Sequence, residues 1–126
     1  MKIASYLYGT NFNPSMPVVM LQVQYQHRTA EVMALVDSGA DATILPISVL
    51  QSVHARRIET RHMRGVTGVR KRVGIYTVTI QISSHIIHRV HTIAAEIGTE
   101  AIIGRDVLNY LVVTLDGPAG VTEIQL

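Results

Sequence analysis

A chain of 126 residues, 48% hydrophobic and carrying a formal charge of only +2, has material for one core and is expected to form a single domain over residues 1–126. Without cysteine it excludes disulfides, thiolate catalysis and cysteine-ligated zinc. No apolar run approaches the roughly 18 residues of a membrane span, and the opening MKIASYLYGTNFNPS lacks the long apolar region and cleavage site of a secretory signal; the expected setting is the cytoplasm, with no membrane partner.

Apolar residues alternate at the start of the chain and give way to the turn cluster Asn11-Phe12-Asn13-Pro14-Ser15, which predicts a short strand or arm followed by a loop. Met16 to Tyr25 is rich in β-branched residues, with Val19, Leu21, Val23 and Tyr25 on one side and Met20, Gln22 and Gln24 on the other. That alternation predicts a half-buried strand. Gln26-His27-Arg28 then turns the chain into a second strand, Thr29 to Val36.

The stretch Glu31 to Pro46, EVMALVDSGADATILP, carries the most information. An apolar run stops at Asp37-Ser38-Gly39-Ala40-Asp41, and another apolar-rich run, Ala42 to Leu45, follows at once. A buried strand thereby delivers the Asp37 carboxylate into a tight loop, in which Gly39 allows a backbone conformation or a close approach that a Cβ would obstruct. Asp-Ser-Gly alone is ordinary turn chemistry. Its apolar flanks, and the later run Ala101-Ile102-Ile103-Gly104-Arg105-Asp106, set this occurrence apart.

Beyond the loop, Pro46 and the spacing of Ile47, Leu50 and Val53 predict one short helix. Two extended runs, Arg57 to Met63 and Val69 to Ile82, flank Gly65-Val66-Thr67-Gly68 and predict a hairpin with a mobile tip. Ser83-Ser84 turns the chain into a return strand, Ile86 to Ala95. His85, His88 and His91 recur there at intervals of three, but residues three apart on a strand lie on opposite faces, so no metal site is expected. Ala101 to Gly104 reads as a short apolar strand and Arg105 to Leu111 as a helix with Val107, Leu108 and Leu111 inward. Strands at Val112 to Leu115 and Val121 to Leu126 enclose a turn at Asp116 to Gly120.

Seven basic residues, Arg56, Arg57, Arg61, Arg64, Arg70, Lys71 and Arg72, fall within one central segment. Such a cluster suits an acidic partner or nucleic acid, but no aromatic residue interleaves with the charges to stack bases. A solvated hairpin face is the simpler reading, and nucleic acid is not expected as a partner.

The motif pair resembles that of the retropepsins, the retroviral-type aspartic proteases, whose signatures are hydrophobic-Asp-(Thr/Ser)-Gly-Ala-(Asp/Ala) and, further on, Ile-Ile-Gly-Arg. The resemblance runs from about Pro17 to Asp116. It implies an all-β fold, a retropepsin-like closed β-barrel with one or two short helices, used as a homodimer. Two features depart from the viral pattern: the hairpin tip is less glycine-rich, and the chain continues beyond Leu115 to VTEIQL, where an extra strand could pair within its own subunit.

The activity the resemblance implies is peptide hydrolysis, without a cofactor, by two carboxylates a few ångströms apart that share one proton and activate a water between them. This chain has one Asp-Ser-Gly and no repeat to supply a second, so its partner would be a second copy of itself and its substrate a polypeptide. By resemblance Asp37 is the catalytic carboxylate, Ser38 hydrogen-bonds across the dimer, and the Gly39 carbonyl accepts from the substrate backbone. Ala40 and Asp41 line the cleft, and Arg105 pairs with Asp41 in a partly buried bridge. Ile44 and Ile102 wall side-chain pockets, and the tip Gly65, Val66, Thr67 and Gly68 closes over the peptide. The rival readings are a non-catalytic dimerisation or peptide-binding module of the same fold and, further off, a nucleic-acid-binding β domain. Retention of Asp37, Ser38, Gly39, Asp41 and Arg105 together favours the enzyme.

Overall fold

A computed structural model of the chain describes residues 2–64, 68–96 and 100–126. In chain order these form β1 (Ile3–Leu7), β2 (Val18–Tyr25), β3 (Arg28–Val36), β4 (Ile44–Pro46), α1 (Ile47–Ser52), β5 (Arg57–Arg64), β6 (Arg70–Ile82), β7 (His85–Ala95), β8 (Ala101–Ile103), α2 (Arg105–Leu108), β9 (Val113–Asp116) and β10 (Val121–Gln125).

Strand neighbours run β2-β3-β8-β4-β7-β6, and β6 returns to β2 through Gln22 opposite Gln81, Val23 opposite Ile80 and Gln24 opposite Thr79. This closes a six-stranded barrel, the all-β architecture expected, and closure removes the exposed edges of its sheet. At the seam the Gln24 side-chain amide donates to Gln81 Oε1 at 2.8 Å. The first half of β6 continues past the barrel and pairs with β5 as a projecting hairpin.

The interior follows from the alternation along β2, where Val19, Leu21 and Val23 are fully buried beside Val78, Ile80 and Ile82 of β6. Each such aliphatic side chain contributes about 1.5–3 kcal/mol on burial. α1 and the residue that ends it seal one side with Leu50 and Val53, both fully buried. Pro46 caps this helix rather than entering it, being the last residue of β4 with φ −56°.

α2 is shorter than the expected Arg105 to Leu111. It covers four residues, and backbone bonds from Tyr110 N–H to the Val107 carbonyl and from Leu111 N–H to the Leu108 carbonyl wind the rest as tight turns. Val107 is fully buried, and Leu108 and Leu111 pack against the core, so the inward face is as read from sequence.

β10 lies between β1 and β9 in a separate three-stranded antiparallel sheet, so the extra terminal strand does pair within its own chain. His85 Nε2 lies 2.8 Å from the Gln125 carbonyl and ties this sheet to the start of β7. No helix among the described residues is long and apolar enough to cross a membrane.

Candidate active site

β3 carries the chain to Asp37, whose N–H still bonds the Ile103 carbonyl of β8 at 3.1 Å. Directly beyond, the chain turns: Ala40 N–H bonds the Asp37 carbonyl at 3.1 Å, and Gly39 N–H donates to Asp37 Oδ1 at 2.9 Å. A Cβ on Gly39 would sit 3.1 Å from that same oxygen, which is the close approach the glycine serves. Asp37 is half-buried at the base of the loop, while Ser38, Gly39 and Asp41 are exposed at its rim.

A second segment clamps this loop. Arg105 N–H bonds the Ala40 carbonyl at 2.9 Å, the Arg105 guanidinium donates to the Ser38 carbonyl at 2.7 Å, and it pairs with the Asp41 carboxylate. The pairing expected from sequence is present, but not its burial: the Asp41 side chain is 89% exposed and that of Arg105 45%. An ion pair so open to water contributes at most about 1 kcal/mol, and the guanidinium bond to the Ser38 carbonyl is the firmer constraint on the loop.

Two clamp residues escaped the sequence reading. Asp106 accepts from Thr43 N–H at 3.1 Å and from the Thr43 hydroxyl at 2.8 Å, while the Thr43 oxygen accepts from Gly104 N–H at 3.2 Å. Thr43 is fully buried, so its polar atoms need these partners. The available signal was a lone hydroxyl inside the apolar run Ala42 to Leu45.

From this loop an apolar row crosses the outer face of the barrel. Register places Leu35 of β3 opposite Ile102 of β8, Ile102 opposite Ile44 of β4, Ile44 opposite Ile93 of β7, and Ile93 opposite Ile75 of β6. Directly paired residues share a face, so the five side chains form one continuous floor. It starts two residues before Asp37 and ends under the β5–β6 hairpin. There Ile44, Ile47, Ile93, Val73 and Met63 enclose a cavity of about 440 Å³ with Arg64, Lys71, Arg72 and Glu96 around it. Ile44 lines this cavity and Ile102 adjoins it on the floor; Ile93, Val73 and Met63 reach the cavity through long-range pairing that local pattern does not report. Gly68 has φ +79°, a conformation suited to glycine. Gly65, Val66 and Thr67 lie outside the described residues.

Two of the three histidines of β7 have separate partners: His88 Nδ1 approaches Thr79 Oγ1 at 3.3 Å and His85 reaches Gln125, while the register of β7 against β6 shifts near Arg89, at φ 57°, between His88 and His91.

The sequence model of the family described as retroviral aspartyl protease matches residues 13–116 of the chain. The chain belongs to this family. Among solved structures, a retropepsin-like aspartic protease from Rickettsia conorii superposes with TM-score 0.68 at 10% identity, covering 98% of this chain and 91% of that one. EIAV protease complexed with the inhibitor HBY-793 superposes with TM-score 0.62 at 23% identity, covering 75% of this chain and 86% of that one. No curated protein matches significantly in sequence. At these identities the two structures establish the retropepsin fold, and the family match establishes the kinship.

Proposed function

We propose that this retropepsin-like protein is an aspartic endopeptidase, active as a two-fold homodimer with one Asp37 from each copy. The observation that carries the reading is the placement of a half-buried carboxylate at the open end of an apolar floor, in a loop whose neighbouring residues are exposed. With one such motif per chain, an isologous interface supplies the second carboxylate with no further sequence.

In the assembled site, one carboxylate takes a proton from water as the water oxygen attacks the scissile carbonyl carbon. The protonated partner gives its proton to the carbonyl oxygen. Collapse of the resulting diol, with proton transfer to the amide nitrogen, breaks the C–N bond. Ser38 steadies the dyad across the interface, and the Gly39 carbonyl accepts from the substrate backbone. Ala40, Asp41, Ile44 and Ile102 receive side chains of an extended peptide, and Gly65 to Gly68 close over it and exclude water. Arg105 acts at one remove, as a positioning residue through Ser38 and Asp41.

The terminal sheet supports self-association. β9 is an edge strand; its Leu115 is 53% exposed, and Tyr110 and Val112 just before it are 70% and 60% exposed. Apolar side chains beside an open edge suit pairing with another chain. Asp37→Asn tests the chemistry: it should keep fold and dimer while lowering cleavage of an unstructured polypeptide by ~10³-fold or more. Undiminished cleavage would remove Asp37 from the mechanism, and inhibition by a statine-type peptide, whose hydroxyl imitates the diol, would support it.

A further inference from the structure

The basic hairpin is left unused by the peptidase reading. Between Arg56 and Arg72 seven lysines and arginines face one acid, Glu59, so the segment carries +6; with +2 overall, the remainder of the chain carries −4. Every residue of β5 is exposed, as are Arg70, Lys71 and Arg72 of β6. Only two of the seven cations have a carboxylate within reach among the described residues: Arg61 pairs with Glu59, and Lys71 with Glu96 at 3.2 Å. Register also sets Arg64 directly opposite Arg70. Like charges in cross-strand positions repel, and an anion laid along the hairpin would relieve them.

This surface is continuous with the cleft, because Arg64 and Arg72 border the cavity whose floor is Ile44 and Ile93. We propose that the hairpin selects substrates, favouring polypeptides whose apolar cleavage segment is flanked by aspartate or glutamate. The proposal rests on the peptidase reading and names the substrate class for that site. Apolar side chains fill the cavity, while the flanking carboxylates meet Arg64 and Arg72 and speed encounter at low salt. A polypeptide fits better than a nucleic acid, since no Phe, Tyr or Trp lies between Arg56 and Ile75 to stack bases, and the −4 remainder repels a long polyanion beyond the hairpin.

The test uses two labelled peptides with one apolar centre, flanked by glutamates in the first and glutamines in the second. Binding is read by fluorescence anisotropy on the full-length Asp37→Asn chain, and cleavage on the parent. The glutamate peptide should bind about tenfold more tightly at low salt, with the gap closing in high salt and in the added pair Arg64→Gln/Arg72→Gln. Both arginines are exposed, so an unchanged thermal midpoint confirms that the pair variant folds. Equal affinities, or a gap that survives the double substitution, would overturn the proposal. So would displacement of the glutamate peptide by an equal or lower concentration of a single-stranded oligonucleotide, which would make the hairpin a nucleic-acid surface. Failure of the parent to cut either peptide would reject the peptidase reading, while the binding comparison still decides whether the hairpin favours acidic chains.

Discussion

A Cβ built on Gly104 would lie 2.6 Å from the Ala42 carbonyl carbon and 2.7 Å from its oxygen. These are backbone atoms of the segment that follows the Asp37 loop, so a side chain there would push the clamp apart. Gly104→Ala should destabilise the protein by about 1–3 kcal/mol, near 4 °C in thermal midpoint per kcal/mol, as measured by calorimetry. Thr122 presents the reverse case: it is fully buried in β10, and its hydroxyl has no partner among the described residues. Thr122→Val removes that unpaired group at nearly the same shape and should raise stability by about 1 kcal/mol, read as a higher midpoint in urea. The Asp37 loop was legible because its chemistry sits in five consecutive residues. The Thr43–Asp106 clamp was not, since partners 63 positions apart leave no local mark.

At the scale of elements, strands with one buried face announced themselves. The alternation of Val19, Leu21 and Val23 against Gln22 and Gln24 is the imprint of a closed barrel on one strand. β8 was also legible, being three apolar residues ended by glycine, as suits a strand held between β3 and β4. The length of α2 was not: Val107, Leu108 and Leu111 keep helical spacing, yet one helical turn followed by tight turns buries the same face. The pairing of β9 with β10 leaves the other edge of β9 open, and Leu115 stands exposed there. Leu115→Lys places a charge beside that edge and should weaken self-association about tenfold or more by analytical sedimentation, with the monomer fold preserved. Unchanged association would move the dimer interface elsewhere on the molecule.

Across the whole molecule, charge and chemistry are both divided. The segment Arg56 to Arg72, nearly all of it in the projecting hairpin, holds +6 against −4 in the remainder, and the Asp-Ser-Gly motif occurs once where the proposed reaction calls for two carboxylates. The barrel was foreseeable from the strand pattern and the motif pair together; its closing contact between β2 and β6 joins segments nearly sixty residues apart and is visible only in three dimensions. A site divided between copies responds to mixing as no self-contained site would. The decisive measurement holds the parent chain at fixed concentration and adds increasing Asp37→Asn chain under conditions where subunits exchange, while peptide cleavage is followed. Because each parent chain paired with a substituted one lacks half of its dyad, the rate should fall progressively as substituted chain is added. A rate that stays constant while sedimentation shows mixed dimers forming would mean that one chain cuts alone, and the shared dyad would have to be abandoned.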